Sequence, residues 1–216
     1  MGDERIERTM VQHWLQRALS DQNPGARGAR SDFDLNQEHD SAELMKETPR
    51  QAAVLVPVVK RAGGPTILLT QRTETLSKHA GQVSFPGGSI DEGDENAIAA
   101  ALRETREEIG LTADFIDIHG ELDRYRTGTG FEITPIVATV RPGFDLQIDS
   151  GEVAAAFEVP LDFILDRRNH QRQSAVWHGR RRHYYAMLFG DFFIWGATAA
   201  MLVNLVDVLE AAREDV

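Results

Sequence analysis

The chain has 216 residues, 42% hydrophobic and 26% charged, which suits one globular domain of ordinary size with a short extension. A formal charge of −11 argues against broad nucleic-acid binding, which needs a basic surface, and requires that any anionic substrate be met by local cations or metal. The absence of cysteine excludes disulfides, thiolate metal sites and cysteine nucleophiles, and no apolar run is long enough to span a bilayer.

Residues 1–10 lack the basic-then-apolar order of a secretory leader, so a soluble cytoplasmic protein is expected. In residues 6–20, Ile6, Met10, Trp14 and Ala18 recur at steps of four with Val11 and Leu15 alongside. That pattern predicts a docking helix with one broad apolar face, and this helix is the candidate device for a homodimer. Residues 21–48 have scarcely any apolar periodicity and read as a loosely packed linker with a short turn near 41–46. The division expected is an extension over 1–48 and one domain over 49–216.

Residues 51–60, QAAVLVPVVK, form a buried-strand run, and Gly63-Gly64-Pro65 turns the chain into TILLTQR at 66–72, which predicts a hairpin. A polar connection over 72–82 and a short strand at 83–85 then deliver Pro86-Gly87-Gly88, read as a tight turn, to a helix. Over 95–109 the apolar positions Ile98, Ala101, Leu102 and Ile109, with Thr105 between them, mark the buried stripe of that helix. Gly110 suits a left-handed C-cap, and Asp91 and Asp94 offer capping oxygens at the other end. After the helix, strands are expected over 115–124, 131–140 and 152–159, then a short helix past Pro160. Further strands follow over 175–195, broken by Gly179 and Gly190, and the apolar helix 198–212 belongs in the core. This order makes an α+β domain with a mixed sheet between helices.

The chemistry gathers on the central helix. Glu104, Glu107 and Glu108 fall within roughly a 100° arc, away from the centre of the apolar stripe. Like charges so spaced repel by a few tenths of a kcal/mol per pair, which a sequence avoids unless cations sit there, and hard ions such as Mg²⁺ or Mn²⁺ take such oxygen ligands. The plain alternative is a solvated charged face. Context weighs against it: two glycines let backbone approach a ligand here, and Arg103 can hold a carboxylate such as Glu95 or Asp94. Elsewhere Arg72, Lys78 and His79 precede the glycines, Arg124 and Arg126 flank the Thr127–Gly130 turn, and a basic island spans Arg167 to His183. Each can meet anions, and each is equally a set of surface charges, with the island best read as a solvated hairpin tip.

Arg103-Glu104-Thr105-Arg106-Glu107-Glu108-Ile109-Gly110-Leu111 resembles the REUxEExGU core of the Nudix hydrolase box. Thr105 stands where the box has a bulky aliphatic residue, Glu95 fills its leading glutamate slot, and the glycine loop is one residue longer than the common form, with Ser89 in the glycine slot. Upstream, Leu68-Leu69-Thr70-Gln71-Arg72 through His79-Ala80-Gly81-Gln82-Val83-Ser84-Phe85-Pro86-Gly87-Gly88 resembles the signature of the coenzyme A diphosphatase branch, with Ser77 in place of an arginine. The likeness continues through Thr129–Pro135, Glu152-Val153, Phe157–Leu161 and Phe193–Gly196.

The resemblance implies an α/β/α sandwich and metal-assisted hydrolysis of coenzyme A or an acyl-coenzyme A, giving 3′,5′-ADP and (acyl-)4′-phosphopantetheine. It implies Mg²⁺ or Mn²⁺ on Glu104 and Glu108, with Glu107 and the Gly88 carbonyl. Glu107 or Glu152 would serve as base, with Arg103 beside them, and Arg72, Lys78, His79, Gly87 and Arg126 would bind substrate. Two alternatives remain open at this point: a Nudix hydrolase of ADP-ribose, dinucleotides or nucleoside triphosphates, and a Nudix module that senses a nucleotide without cleaving it.

Overall fold

A computed structural model describes residues 11–19, 30–36, 48–74, 80–177 and 179–212. Its elements, in chain order, begin with helix α1 (11–18) and strands β1 (Arg30–Ser31), β2 (Arg50–Val59), β3 (Thr66–Arg72), β4 (Val83–Ser84) and β5 (Gly87–Ser89). Helix α2 (Ala97–Ile109) leads to β6 (Ile116–Glu121), β7 (Tyr125–Arg126), β8 (Phe131–Val140) and β9 (Val153–Pro160). Helix α3 (Leu161–Leu165), β10 (Gln171–Trp177), β11 (Arg180–Phe189), β12 (Phe192–Trp195) and α4 (Gly196–Ala211) follow. This is the mixed α+β fold expected, and no helix among the described residues is long and apolar enough to cross a membrane.

Among the described residues nine strands make the main sheet, along the order β1-β7-β8-β2-β3-β4, with β5 on β2, β6 on β8 and β9 on β3. Its spine is the parallel pairing of β2 with β8, from Arg50 opposite Phe131 to Val59 opposite Val140. Both strands are buried on both sides, which explains why 51–60 reads as a continuous apolar run rather than an alternating one. Successive β2 side chains serve opposite layers. Ala53 and Leu55 pack with Ala100 and Ala101 of α2, while Val54, Val56 and Val58 pack with Leu15 and Ala18 of α1 and Leu202, Leu205 and Leu209 of α4. The result is the α/β/α sandwich.

Four expectations need correction. The 51–72 hairpin barely pairs with itself: β2 and β3 share only Val58–Ile67 and Val59–Thr66, because β8 takes one partner and β9 the other. The glycines 87 and 88 are strand β5, paired with Ala53 and Val54. Strands β10, β11 and β12 form a separate antiparallel sheet, fastened to the main core by Met187 and Ile194 and by Phe192 stacked on Phe157 with ring centroids 3.5 Å apart.

The fourth correction concerns the linker. Residues 30–36 are a packed strap: Phe33 is buried, Arg30 reaches Asp123 and Asp207, and Asn36 exchanges two hydrogen bonds with the backbone of His183. The turn expected at 41–46 lies outside the described residues. Helix α1 docks as expected, with Trp14 Nε1 donating to the Leu209 carbonyl and Arg17 to that of Ala212. Over residues 11–19 its apolar face is thus covered within the chain, and Ile6 and Met10 of the expected helix lie outside the described residues.

Candidate active site

Helix α2 starts on Asn96, whose side chain accepts from Ala99 N–H at 2.9 Å, and ends on Gly110, which is left-handed at φ 71°. The aspartates expected as caps do other work. Asp94 accepts from Asp91 N–H and receives a two-pronged hydrogen bond from Arg103, at 3.0 Å from Nε and 2.9 Å from Nη2. That pairing holds the Asp94 carboxyl down to about 2. Of the two acids offered to Arg103, Asp94 is therefore the partner and Glu95 is exposed.

Arg103 also donates to Glu104 at 2.9 Å, to Glu107 at 3.1 Å and to the Ser89 carbonyl at 3.2 Å. It is a clamp joining the carboxylates to the loop before the helix.

The three helix carboxylates differ in depth. Glu107 has 61% of its side chain exposed, Glu104 19% and Glu108 4%. Glu108 accepts from Gly87 N–H at 3.1 Å and lies 3.7 Å from Arg72 Nη1. Burial pushes its carboxyl up to about 7, against the pull of Gly87 and Arg72 and with a further push from Glu104 and Glu152. Glu104 is raised as well, chiefly by burial and also by Glu107 and Glu152. Glu152, just before β9, is thus brought to the same cluster from a second element.

Two glycines make the approach feasible. Gly87 has φ 146°, and a Cβ on it would stand 2.4 Å from the Ala53 carbonyl oxygen and 2.6 Å from Val54 Cα. On Gly88 a Cβ would meet the Glu104 carboxylate at 2.5 to 2.8 Å. Gly88 is therefore beside Glu104, whereas Gly87, expected to bind substrate, has its N–H committed to Glu108.

Arg72 reaches the cluster. It ends β3 opposite a register shift, where Gln71 pairs with Ala155 and Arg72 with Val153, leaving Ala154 as the extra residue. Lys78 and His79, and Ser77 with them, lie outside the described residues. Arg126 is not brought in: it sits on β7 against Glu132, separated from β5 by β8 and β2. In the basic island Arg167 pairs with Asp207 and Glu210, and Arg168 with Asp166, as a charge-balanced surface would.

A hard divalent ion fits this donor set by chemistry. Four carboxylates gather beside a glycine cradle, and burial, with a smaller push from their like charges, raises Glu104 and Glu108, a penalty that a bound dication would relieve. Among the described residues no three carboxylate or imidazole groups already stand at ligand spacing; Arg103 holds Glu104 and Glu107, and Gly87 holds Glu108. The contributions sequence reasoning missed are Asn96 as cap, Ser89 as an Arg103 acceptor and the Gly87 N–H as the anchor of Glu108. The acidic run DEGDEN, which ends on an asparagine just before the helix, was the available signal for the first.

A family model described as the NUDIX domain matches residues 49–178. The chain is 42% identical over 156 residues to an uncharacterized Nudix hydrolase, NudL, of Cronobacter sakazakii, covering 72% of this chain and 81% of that protein. NudL of Escherichia coli is 39% identical over the same shares. Among solved structures, a Caenorhabditis elegans Ap4A hydrolase is 28% identical with a TM-score of 0.45, over 51% of this chain and 80% of that one. A MutT protein from Methanosarcina mazei is 26% identical with a TM-score of 0.44, over 55% and 83%.

Proposed function

The chain belongs to the Nudix hydrolase family, and from that premise we propose that it cleaves the pyrophosphate of coenzyme A or an acyl-coenzyme A, releasing 3′,5′-ADP and 4′-phosphopantetheine or its acyl form. The observation that carries the hydrolase reading is the gathering of Glu104, Glu107 and Glu108 from α2 with Glu152, just before β9, beside the Gly87–Gly88 cradle. The coenzyme A reading rests on the resemblance of residues 68–88. Their described part supports it by running β3 into β4 and β5 so that Arg72 and both glycines border the carboxylates.

Glu104 and Glu108, with Glu107 and the Gly88 carbonyl, would hold Mg²⁺ or Mn²⁺, which supplies charge neutralisation at the diphosphate and a more acidic water. Arg103 orients Glu104 and Glu107 against the loop. It is a positioning residue. Glu152 takes the proton from the attacking water, a role for which it is better suited than Glu107, since Arg103 already engages the latter. Bond cleavage then needs no covalent intermediate: water adds to one phosphorus as the bridging oxygen departs.

The test is mass spectrometry of products after incubation with Mg²⁺ or Mn²⁺ and, in parallel, coenzyme A, an acyl-coenzyme A, dephospho-coenzyme A, ADP-ribose, NADH and a nucleoside triphosphate. The expected result is 3′,5′-ADP, with a lower rate on the dephospho compound. Preferential cleavage of ADP-ribose, NADH or the triphosphate overturns the coenzyme A assignment and keeps the chemistry. No cleavage of any of them leaves a binding module.

A further inference from the structure

Two arginines enter the carboxylate cluster, and they are bonded in opposite ways. Arg103 donates from Nε, Nη1 and Nη2 to Asp94, Glu104, Glu107 and the Ser89 carbonyl. Among the described residues, Arg72 meets Glu108 through Nη1 at 3.7 Å, beyond hydrogen-bond length, and its buried Nε has no acceptor. Buried donors without partners are uncommon, so each asks for a reason. The strand is not slack here: Arg72 N–H donates to the Gln82 carbonyl at 2.9 Å, and the next residue, Thr73, donates its own N–H to the Glu152 carbonyl at 3.0 Å. The register shift on β9 lies directly opposite. The backbone around the half-satisfied guanidinium is therefore held on both sides.

We propose that Arg72 is a resident counter-charge on Glu108 that competes with the divalent ion for that carboxylate, and that its buried Nε is the donor kept for the substrate's diphosphate. The inference rests on the reading of Glu108 as a metal ligand. A guanidinium already within 4 Å of Glu108 repels a dication on the same carboxylate. Ion affinity is thereby held low until an anion draws the arginine away. The diphosphate supplies that anion, so ion and substrate strengthen one another's binding through a single side chain. Arg103 cannot do this, because its donors are already engaged by fixed acceptors.

The experiment is Mn²⁺ binding to the full chain without substrate, followed by the electron paramagnetic resonance of free Mn²⁺, for the wild type, Arg72→Gln, Arg72→Lys and Glu108→Gln. Removing the charge in Arg72→Gln should tighten Mn²⁺ binding roughly tenfold, and Arg72→Lys, which keeps it, should bind as the wild type does. Thermal unfolding with a chelator present checks that each variant is folded. Unchanged or weaker binding in Arg72→Gln overturns the proposal, and so does tenfold tightening in Arg72→Lys. Equal Mn²⁺ binding by Glu108→Gln and the wild type overturns the ligand reading, and the proposal falls with it.

Discussion

The two layers that flank β2 handle polar groups differently. On the α4 side, Asn204 both donates to the Asp123 carboxylate and accepts from its N–H, and Thr198 donates to the Val83 carbonyl, while His170 Nδ1 is the buried atom left without a partner among the described residues. On the α2 side, Thr105 Oγ1 and Arg72 Nε are buried without partners among the described residues, and burial raises the carboxyl of Glu108. Stability is concentrated in the first layer. The second gives up part of it, at the positions where an ion and an anion would complete the bonding.

That contrast can be broken by substitution, and the largest effect is expected at Glu108. Glu108→Gln should lower kcat by about a thousandfold, roughly 4 kcal/mol of transition-state stabilisation, measured on whichever diphosphate proves to be the substrate. The same variant should be the more stable protein at pH 8 with a chelator present. With its carboxyl at about 7 when folded against an ordinary 4.5, Glu108 binds its proton more tightly in the folded chain. Stability then falls as pH rises from about 4.5 to 7, on the order of 3 kcal/mol, and chemical denaturation across pH should show this slope in the wild type and not in the variant.

On the opposite layer, Leu205→Ala should cost about 3 kcal/mol of unfolding free energy by leaving a cavity in α4, while kcat at a temperature where the variant is folded stays within about twofold. A large fall in kcat there would erase the division of labour. Gly87→Ala should cost about 2–3 kcal/mol because its methyl group would collide with Ala53 and Val54, and it should lose activity as well. Thr105→Val is the smallest and has the opposite sign: deleting the unpartnered hydroxyl should raise stability by about 1 kcal/mol in a thermal melt and leave turnover unchanged.

Helix α2 and its carboxylates were legible because every signal lay within a few residues: the apolar stripe, Gly110 and the spacing of Glu104, Glu107 and Glu108. Even so, the cap was misread, since an aspartate and an asparagine compete in DEGDEN and only the position of Arg103 decides that Asp94 is taken. What stayed hidden depended on distant partners. Gly87 looks like a turn residue until Ala53, which pairs across β2 and β5, shows why nothing larger fits. The 51–72 hairpin had a sound turn signal, but strand choice was settled by β8 and β9, far along the chain. Residues 30–36 appear unstructured because their polar groups seek Asp123, His183 and Asp207, and no local pattern announces a partner so remote. The pairing of Arg72 with Glu108 and the convergence of Glu152 on the cluster are of the same kind.

The docking of α1 has a consequence in time. Trp14 closes its hydrogen bond on Leu209, 195 residues later. At ribosomal rates of about 5–20 residues per second, that partner is made on the order of 10–40 s after the tryptophan emerges. Through that interval the first helix can meet the β2 valines but not α4, so its apolar side is only partly covered and the sheet lacks the α4 half of that layer. Completion is thus a late, high-contact-order event, and the nascent chain is a natural client for a holding chaperone until α4 appears.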